Sequence, residues 1–386
     1  MGKSMGTRMG TSIATSKDVG VDTKLVTEPP RALRYFPDAD DIAADMQPQH
    51  VESIREIFNT PLTGSYNWDY LSADGRIRKL YELGKTLNWN VEMDLDWTQM
   101  ISKDEYCTDQ NFNMFKGFAP FDKLSEERKI EFDWHYMASN MSQFLHGEQG
   151  ALLVASQLVS CAPTYDAKLY AASQAFDEAR HVEVFNKFIQ KQIGFMYPVN
   201  TKLKSLLDKI LTDPRWDLKF IGMQIILEGL ALAAFRGARA STRIPVLSEL
   251  LRLVIRDEAR HVTFGVNYLE EYCKNLTDQE REDRATFALE ACIVMRDRLI
   301  SEEVFVAFGW DPVDARNCVL ESTVLSEFRN LLFSRIMPNL KRIGLLTENV
   351  RSKFEALGLL SYENFDHDAD IDWDHLSRPL FESNVA

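Results

Sequence analysis

Beyond Phe121 apolar residues recur every three to four positions over long stretches with few breakers. Residues 28 to 120 instead mix aromatic clusters with polar turns and keep no sustained period. The first pattern predicts long amphipathic helices, the second an irregular segment wrapped on a core supplied by later residues. One helix is predicted from Ser125 to Val159, and two more from about Asp278 to Ala307 and from Val313 to Met337. Pro163, inside the Cys161-Ala-Pro-Thr-Tyr165 turn, and Pro245 stand where two helical hairpins would reverse. Short helices are expected at Pro48 to Phe58 and Gly75 to Thr86. The expected division is a disordered tail (1–30), the wrap (31–120), a helical bundle with flanking helices (121–345) and a C-terminal tail (346–386), polar from Ser361 and charge-rich from Asp366 to Asp374. The fold class is all-α.

Acids interrupt the apolar stripes at regular places. The first helix carries Leu145, Glu148, Leu152, Ala155 and Val159 on one face, and the second Gln174, Glu178, His181 and Phe185. The third offers Ile221, Ile225, Glu228, Leu232 and Phe235, and the fourth Leu251, Val254, Glu258 and His261. Asp-Glu-Ala-Arg-His-Val occurs twice, at Asp177 to Val182 and at Asp257 to Val262. Each copy has a Glu 30 residues before its own Glu, so Glu148/Glu228, Glu178/Glu258 and His181/His261 all repeat at an offset of 80. Pro163 is midway between Glu148 and Glu178, and residue 243 is midway in the second pair. A hairpin turning at each midpoint brings both of its carboxylates to one depth, roughly 22 Å from the turn at ~1.5 Å per residue.

Four buried carboxylates repel one another and cost several kcal/mol each unless paired, protonated or bound to cations. Two divalent metals neutralise them, with His181 and His261 completing the coordination, since Glu and His at i, i+3 share a helix face. The predicted ligands are Glu148, Glu178, His181, Glu228, Glu258 and His261, and hard oxygens mixed with imidazole favour iron or manganese over zinc. Asp177 and Asp257 are expected to accept the outer N–H of the histidine on the facing helix, Asp177 from His261 and Asp257 from His181. Arg180 and Arg260 would balance those aspartates. The competing reading, all six as surface charges on amphipathic helices, does not explain the repeated register. His50, His135, His146, His367 and His375 have no such pattern and read as structural or exposed.

Composition narrows the partners. A formal charge of −14 without a basic stripe argues against nucleic acid and anionic membrane, and no apolar run approaches the roughly 20 residues of a transmembrane helix. Five cysteines, at 107, 161, 273, 292 and 318, include no Cys-x-x-Cys pair, so disulfides, zinc ribbons and iron–sulfur clusters lack the spacing they need and a reducing cytoplasm fits best. The first 30 residues lack the apolar core of a secretory signal.

At these ligand residues, over roughly Ser125 to Tyr272, the chain resembles the ferritin-like di-iron carboxylate superfamily, whose four-helix bundle with Glu-x-x-His pairs is a described pattern. Within it the Asp-Glu-x-Arg-His form resembles the hydroxylase components of multicomponent monooxygenases, the benzoyl-CoA epoxidase component and p-aminobenzoate N-oxygenase. Phe185 stands where the ribonucleotide reductase subunit has its radical Tyr, and Glu148 where that subunit commonly has Asp. Leu232 stands where the multicomponent monooxygenases have an active-site Thr. The resemblance implies an O2-activating di-iron oxygenase or oxidase acting on a small organic substrate by hydroxylation, N-oxygenation or epoxidation through a bridging peroxide. It implies two iron ions, with manganese at one site as an alternative. Glu228 or Glu258 is the expected carboxylate to shift between binding modes. Phe144, Leu152, Phe185, Gln224, Ile225, Leu232 and Phe235, within a turn or two of the ligands, are the expected substrate pocket, with core packing as the competing reading. No flavin fingerprint is present, so a separate reductase or ferredoxin is expected, and a homodimer is compatible. The alternatives are a ferritin-like iron-binding protein and a manganese–iron ligand-binding oxidase or radical-generating subunit.

Overall fold

Ser125 is where irregular chain gives way to helix. Its hydroxyl accepts a hydrogen bond from the Arg128 N–H at 3.4 Å, and Glu126 and Glu127 occupy the positive end of the helix that follows. The computed structural model describes residues 34–35, 55–297 and 300–366. Among them, helix α1 spans Gly75–Thr86, α2 Glu126–Cys161, α3 Tyr165–Phe188 and α4 Thr201–Thr212. Helix α5 runs Trp216–Ser241 and α6 Pro245–Cys273. Helices α7 (Asp278–Asp297), α8 (Glu302–Ala307), α9 (Pro312–Glu321), α10 (Thr323–Arg342) and α11 (Glu348–Ala356) complete an all-α bundle with flanking helices. The one sheet among the described residues is two residues wide, pairing Arg34 with Met196 and Tyr35 with Phe195.

The hairpins turn where the prolines stand. In α2 and α3 Glu148 and Glu178 each lie 13 residues from the helix end at the turn, and in α5 and α6 so do Glu228 and Glu258. Thr164 caps α3 by accepting from the Ala167 N–H, and Pro245 starts α6 at a position that needs no N–H donor. The wrap closes over both turns. Ser65 N–H donates to Ser160 O at 3.0 Å at one, and Asp109 N–H to Ser241 O at 2.8 Å at the other.

Apolar packing divides into two clusters with the acids between them. On α2 it passes from Leu145 in one cluster to Ala151 in the other, on α3 from Val184 to Ala171, and on α6 from Val254 to Ala259. Glu148, Glu178 and Glu258 sit at these junctions. The polar layer is a slab across the bundle, set between the two apolar clusters.

Several expectations are revised. The helix expected at Pro48 to Phe58 is not helical over residues 55–58, and its remainder lies outside the described residues, as do the 1–30 tail and the Asp366 to Asp374 stretch beyond Asp366. The two late helices are each divided: α7 ends at Asp297 and α8 begins at Glu302, while Ser322 leaves helical geometry and its hydroxyl caps α10 through the Leu325 N–H. Packed structure continues beyond residue 345, because α11 buries Val350 and Phe354 completely. Helix α5 is, by length and composition, apolar enough to cross a membrane, contrary to expectation, but 89% of its most apolar window is buried in the protein. It is the core helix that carries Glu228.

Helix α5 also contains a feature that α-helical periodicity conceals. Residues Ile221–Leu227 form a π-helical segment, and Glu228 N–H donates to Met223 O, five residues back. That segment passes close to α6 at Gly265, where a Cβ would come within 2.5 Å of the Gln224 Cβ. Gly265→Ala is therefore expected to lower stability by roughly 1–2 kcal/mol, overpacking outweighing the gain in helix propensity. Gly147→Ala, with nothing within 4 Å, is expected to raise it. Urea midpoints test both, and equal shifts for the two variants would refute the close contact.

Candidate metal centre

Six side chains from four helices meet in the polar slab: Glu148 from α2, Glu178 and His181 from α3, Glu228 from α5, and Glu258 and His261 from α6. All are at most 5% exposed. His181 Nδ1 lies 3.2 Å from both Glu148 and Glu178 and 3.1 Å from Glu258, and His261 Nδ1 lies 3.1 Å from Glu178 and 3.6 Å from Glu258. Two sets of atoms are close enough to share a cation. One is Glu148, Glu178, His181 and Glu258; the other is Glu178, Glu228 and His261. Glu178 belongs to both.

The outer nitrogens of the histidines face the other way. His261 Nε2 meets Asp177 at 3.2 Å and His181 Nε2 meets Asp257 at 3.3 Å, each pair crossing between α3 and α6. This leaves both Nδ1 atoms turned toward the carboxylates. The two arginines then close a ring with the two aspartates. Arg180 donates to Asp177 at 2.5 Å and Asp257 at 3.1 Å, and Arg260 to Asp177 at 2.9 Å and Asp257 at 2.8 Å. Two cations and two anions cancel in a dry interior, where an unpaired charge is costly.

Protonation follows from burial and neighbours. Burial and then the nearby Glu258 carboxylate raise Glu148 and Glu228 well above the usual carboxylate range. Burial also raises Glu178, but the histidines override it and hold that carboxyl low. For His181 burial opposes the charged form, yet hydrogen bonds that its ring N–H groups donate to Asp257, Glu148 and Glu178 raise it. For His261 Glu178 and Glu258 do the same. Asp257 stays low despite its burial because Arg260 and His181 adjoin it.

The residues fit metal. Glu228 Oε2, both Glu258 carboxylate oxygens and His261 Nδ1 are buried without hydrogen-bond partners. Such atoms are rare in a folded interior and call for an ion or water. Four carboxylates with two imidazoles match the charge and donor type of two divalent ions such as iron or manganese.

Other neighbours were not anticipated from sequence. Trp89 donates its indole N–H to Asp257 at 2.6 Å, and Arg180 lies over the Trp89 ring. It comes from the wrap, at a distance no helical pattern measures. Gln174 donates to Glu228 at 2.8 Å and to Glu178 at 3.1 Å, and Tyr170 is buried with an unpartnered hydroxyl. The helical period places Gln174 on the ligand face, one turn before Glu178, but assigns it no role at the site. His135 and His146 bond to Tyr197, away from the six.

The expected substrate pocket is largely core. A cavity of about 620 Å³ lies beside the bundle near the second turn, and of the seven expected lining residues only Phe144 faces it. Phe185 and Phe235 pack on Phe144 with ring centroids 5.8 and 4.7 Å away. Ile225 and Leu232 are buried in the opposite cluster, Gln224 donates to Gln174, and Leu152 is half-buried without reaching the cavity. Proximity along a helix to a ligand selects interhelical core more often than open space.

Two predictions follow from the ring and the protonation pattern. Asp257→Ala leaves His181 unheld and two arginines partly uncompensated, so metal affinity is expected to fall about 10- to 100-fold with a lower thermal midpoint; unchanged affinity would refute the orienting role. Protons held on Glu148, Glu228, His181 and His261 must leave for these groups to ligate. Metal uptake is therefore expected to release protons and to tighten as pH rises, measurable by calorimetry in buffers of different ionisation enthalpy, and pH-independent uptake would contradict it.

Comparison with known proteins follows from this geometry. The sequence matches the family described as p-aminobenzoate N-oxygenase AurF over residues 73–344. No curated protein sequence matches the chain. Similar solved structures include an R2-like ligand-binding oxidase variant with an aerobically reconstituted Mn/Fe cofactor, at 20% identity and a TM-score of 0.49, covering 71% of this chain and 95% of that one. Another is an R2-like ligand-binding oxidase with an aerobically reconstituted metal cofactor after photoconversion, at 19% identity and a TM-score of 0.49, covering 71% and 94%. The family match takes in more than half of the sequence and every one of the six converging side chains, and the chain belongs to the p-aminobenzoate N-oxygenase AurF family of ferritin-like di-iron oxidoreductases.

Proposed function

We propose that this centre oxygenates a small aromatic or otherwise largely apolar organic molecule, using O2, with the substrate held in the cavity beside Phe144. The observation that carries the reading is the position of Phe144. Its ring lines the cavity, packs against Phe185 and Phe235, and stands one turn before Glu148. The cavity volume lies in the usual range for small-molecule sites. Its walls include Phe112, Phe115, Met137, Met141, Leu325 and Phe328. Asn140, Gln143 and Glu303 supply polar contacts among them, and burial raises the Glu303 carboxyl while Ser139 donates to it at 2.5 Å. The family name points to an arylamine and to N-oxygenation, which suits an aromatic lining with a few hydrogen-bonding groups.

Bound metal, iron in this reading, would supply redox capacity and Lewis acidity for O2 reduction. The chain supplies the surroundings. Asp177 and Asp257 fix the two imidazoles, Phe144, Phe185 and Phe235 keep bulk water from the carboxylates, and the cavity orients the substrate. Electrons come from a separate reductase or ferredoxin.

The test is anaerobic loading with ferrous iron followed by O2 in the presence of candidate arylamines, other aromatics and acyl thioesters, with products identified by mass. Oxygenated product is expected, and Phe144→Trp is expected to lower its yield at least about tenfold while leaving metal stoichiometry unchanged. Oxygen consumption without any oxygenated product across these classes, or a Phe144→Trp variant with unaltered product yield, would count against the reading.

A further inference from the structure

The ligands repeat at an offset of 80, but the turns on either side of them do not. Phe144 corresponds to Gln224, Phe185 to Gly265, Phe235 to Ala155 and Val254 to Gln174. Phe144, Phe185 and Phe235 pack together on the cavity side, while Gln174, Gln224 and Gly265 are neighbours on the other. One side of the six-residue cluster is thus aromatic, the other polar. The two candidate metal positions differ as well, one drawing on four residues and the other, Glu178, Glu228 and His261, on three.

The geometry points to Gln174 as a positioning residue for the three-residue position, an inference that rests on the six side chains binding two metal ions. Gln174 is fully buried, and its amide nitrogen donates to Glu228 Oε1 at 2.8 Å and Glu178 Oε1 at 3.1 Å. Its oxygen accepts from Gln224 at 3.3 Å, which sets the direction of the amide. One amide hydrogen goes to Glu228, which belongs to the three-residue position alone, and the other to Glu178, which both positions share, while Glu228 Oε2 is left without a partner. The corresponding place beside Glu258 holds Val254, which has no donor. A neutral amide orients carboxylates without adding charge, so the three-residue position has both fewer anionic ligands and a dependence on Gln174. The four-residue position fills first and the Gln174-dependent one second. Were Gln174 only a satisfied core amide, its loss would lower stability and leave the relative affinities of the two positions alone.

Anaerobic titration with cobalt(II), followed by its visible absorption, reads this directly. Two successive waves are expected for the unaltered chain. In Gln174→Leu the second should weaken about 10- to 100-fold and the first by much less, because Glu178 is shared while Glu228 is not, while Val254→Ala alters neither by more than a few-fold. Far-UV circular dichroism records whether each variant folds. If Gln174→Leu does not fold, Gln224→Leu, which frees the amide it orients, should weaken the second wave more than the first. Two equivalent sites in the unaltered chain, equal shifts of both waves, or no shift in the folded variant would each overturn the inference. A chain that takes up no cobalt at all defeats the di-metal reading and this inference with it.

Discussion

Four carboxylates can share a dry interior only if positive charge stands among them, and that constraint governs the molecule. The chain meets part of it with the closed ring of Asp177, Arg180, Asp257 and Arg260, which is neutral as a unit and grips both histidines from outside. The ring does not neutralise the glutamates. Raised protonation of Glu148 and Glu228, with charge on His181 and His261, does so in the metal-free chain, and two divalent ions do so when bound. A layer of this kind lowers the stability of the bundle it crosses, so it calls for extensive apolar packing on both sides. The two core clusters and the long helices that join them provide that packing.

Pseudo-symmetry explains the economy of the ligand set, and its departures make the two faces of the cluster unlike. Duplicated Asp-Glu-Ala-Arg-His strings bring identical groups to the junction of α3 and α6, so the crossed aspartate–histidine pairs form twice from one pattern. The neighbouring turns have diverged. Aromatic rings on one side and glutamines on the other give the two faces of the cluster different polarity, a difference that a symmetric centre could not show to substrate and solvent.

Much of this was legible in the sequence because it follows from periodicity. Equal spacing of Glu148, Pro163 and Glu178 determines where a hairpin must turn for its acids to meet, and α2 and α3 reverse there. What escaped had no periodic signal. The π-helical segment before Glu228 changes helical phase without changing composition, and Trp89 reaches Asp257 from a segment 168 residues away along the chain. Six of the seven residues expected to line a pocket do not border the cavity, for a related reason. Residues one turn from a ligand share its inward face and pack against other helices, whereas open volume requires the bundle to meet something less regular.

That less regular material builds part of the cavity. Its walls draw on residues 106–115 of the wrap and on Leu325, Phe328 and Leu331 of α10, all outside the four ligand-bearing helices. The bundle contributes about as much, with one face of α2 from Lys129 to Phe144 and the end of α5 from Ala234 to Ser241. Metal chemistry is thereby placed on rigid, mutually braced helices, where a shift of one ligand disturbs the whole charge layer. In the proposed function, about half of the substrate-facing wall lies on elements that can vary without touching that layer. Phe144 is the joint between the two systems, since it belongs to a ligand-bearing helix and faces the cavity. A change of substrate preference within this architecture should therefore arise first in the wrap, in α10 and at Phe144, with the six converging side chains left as they are.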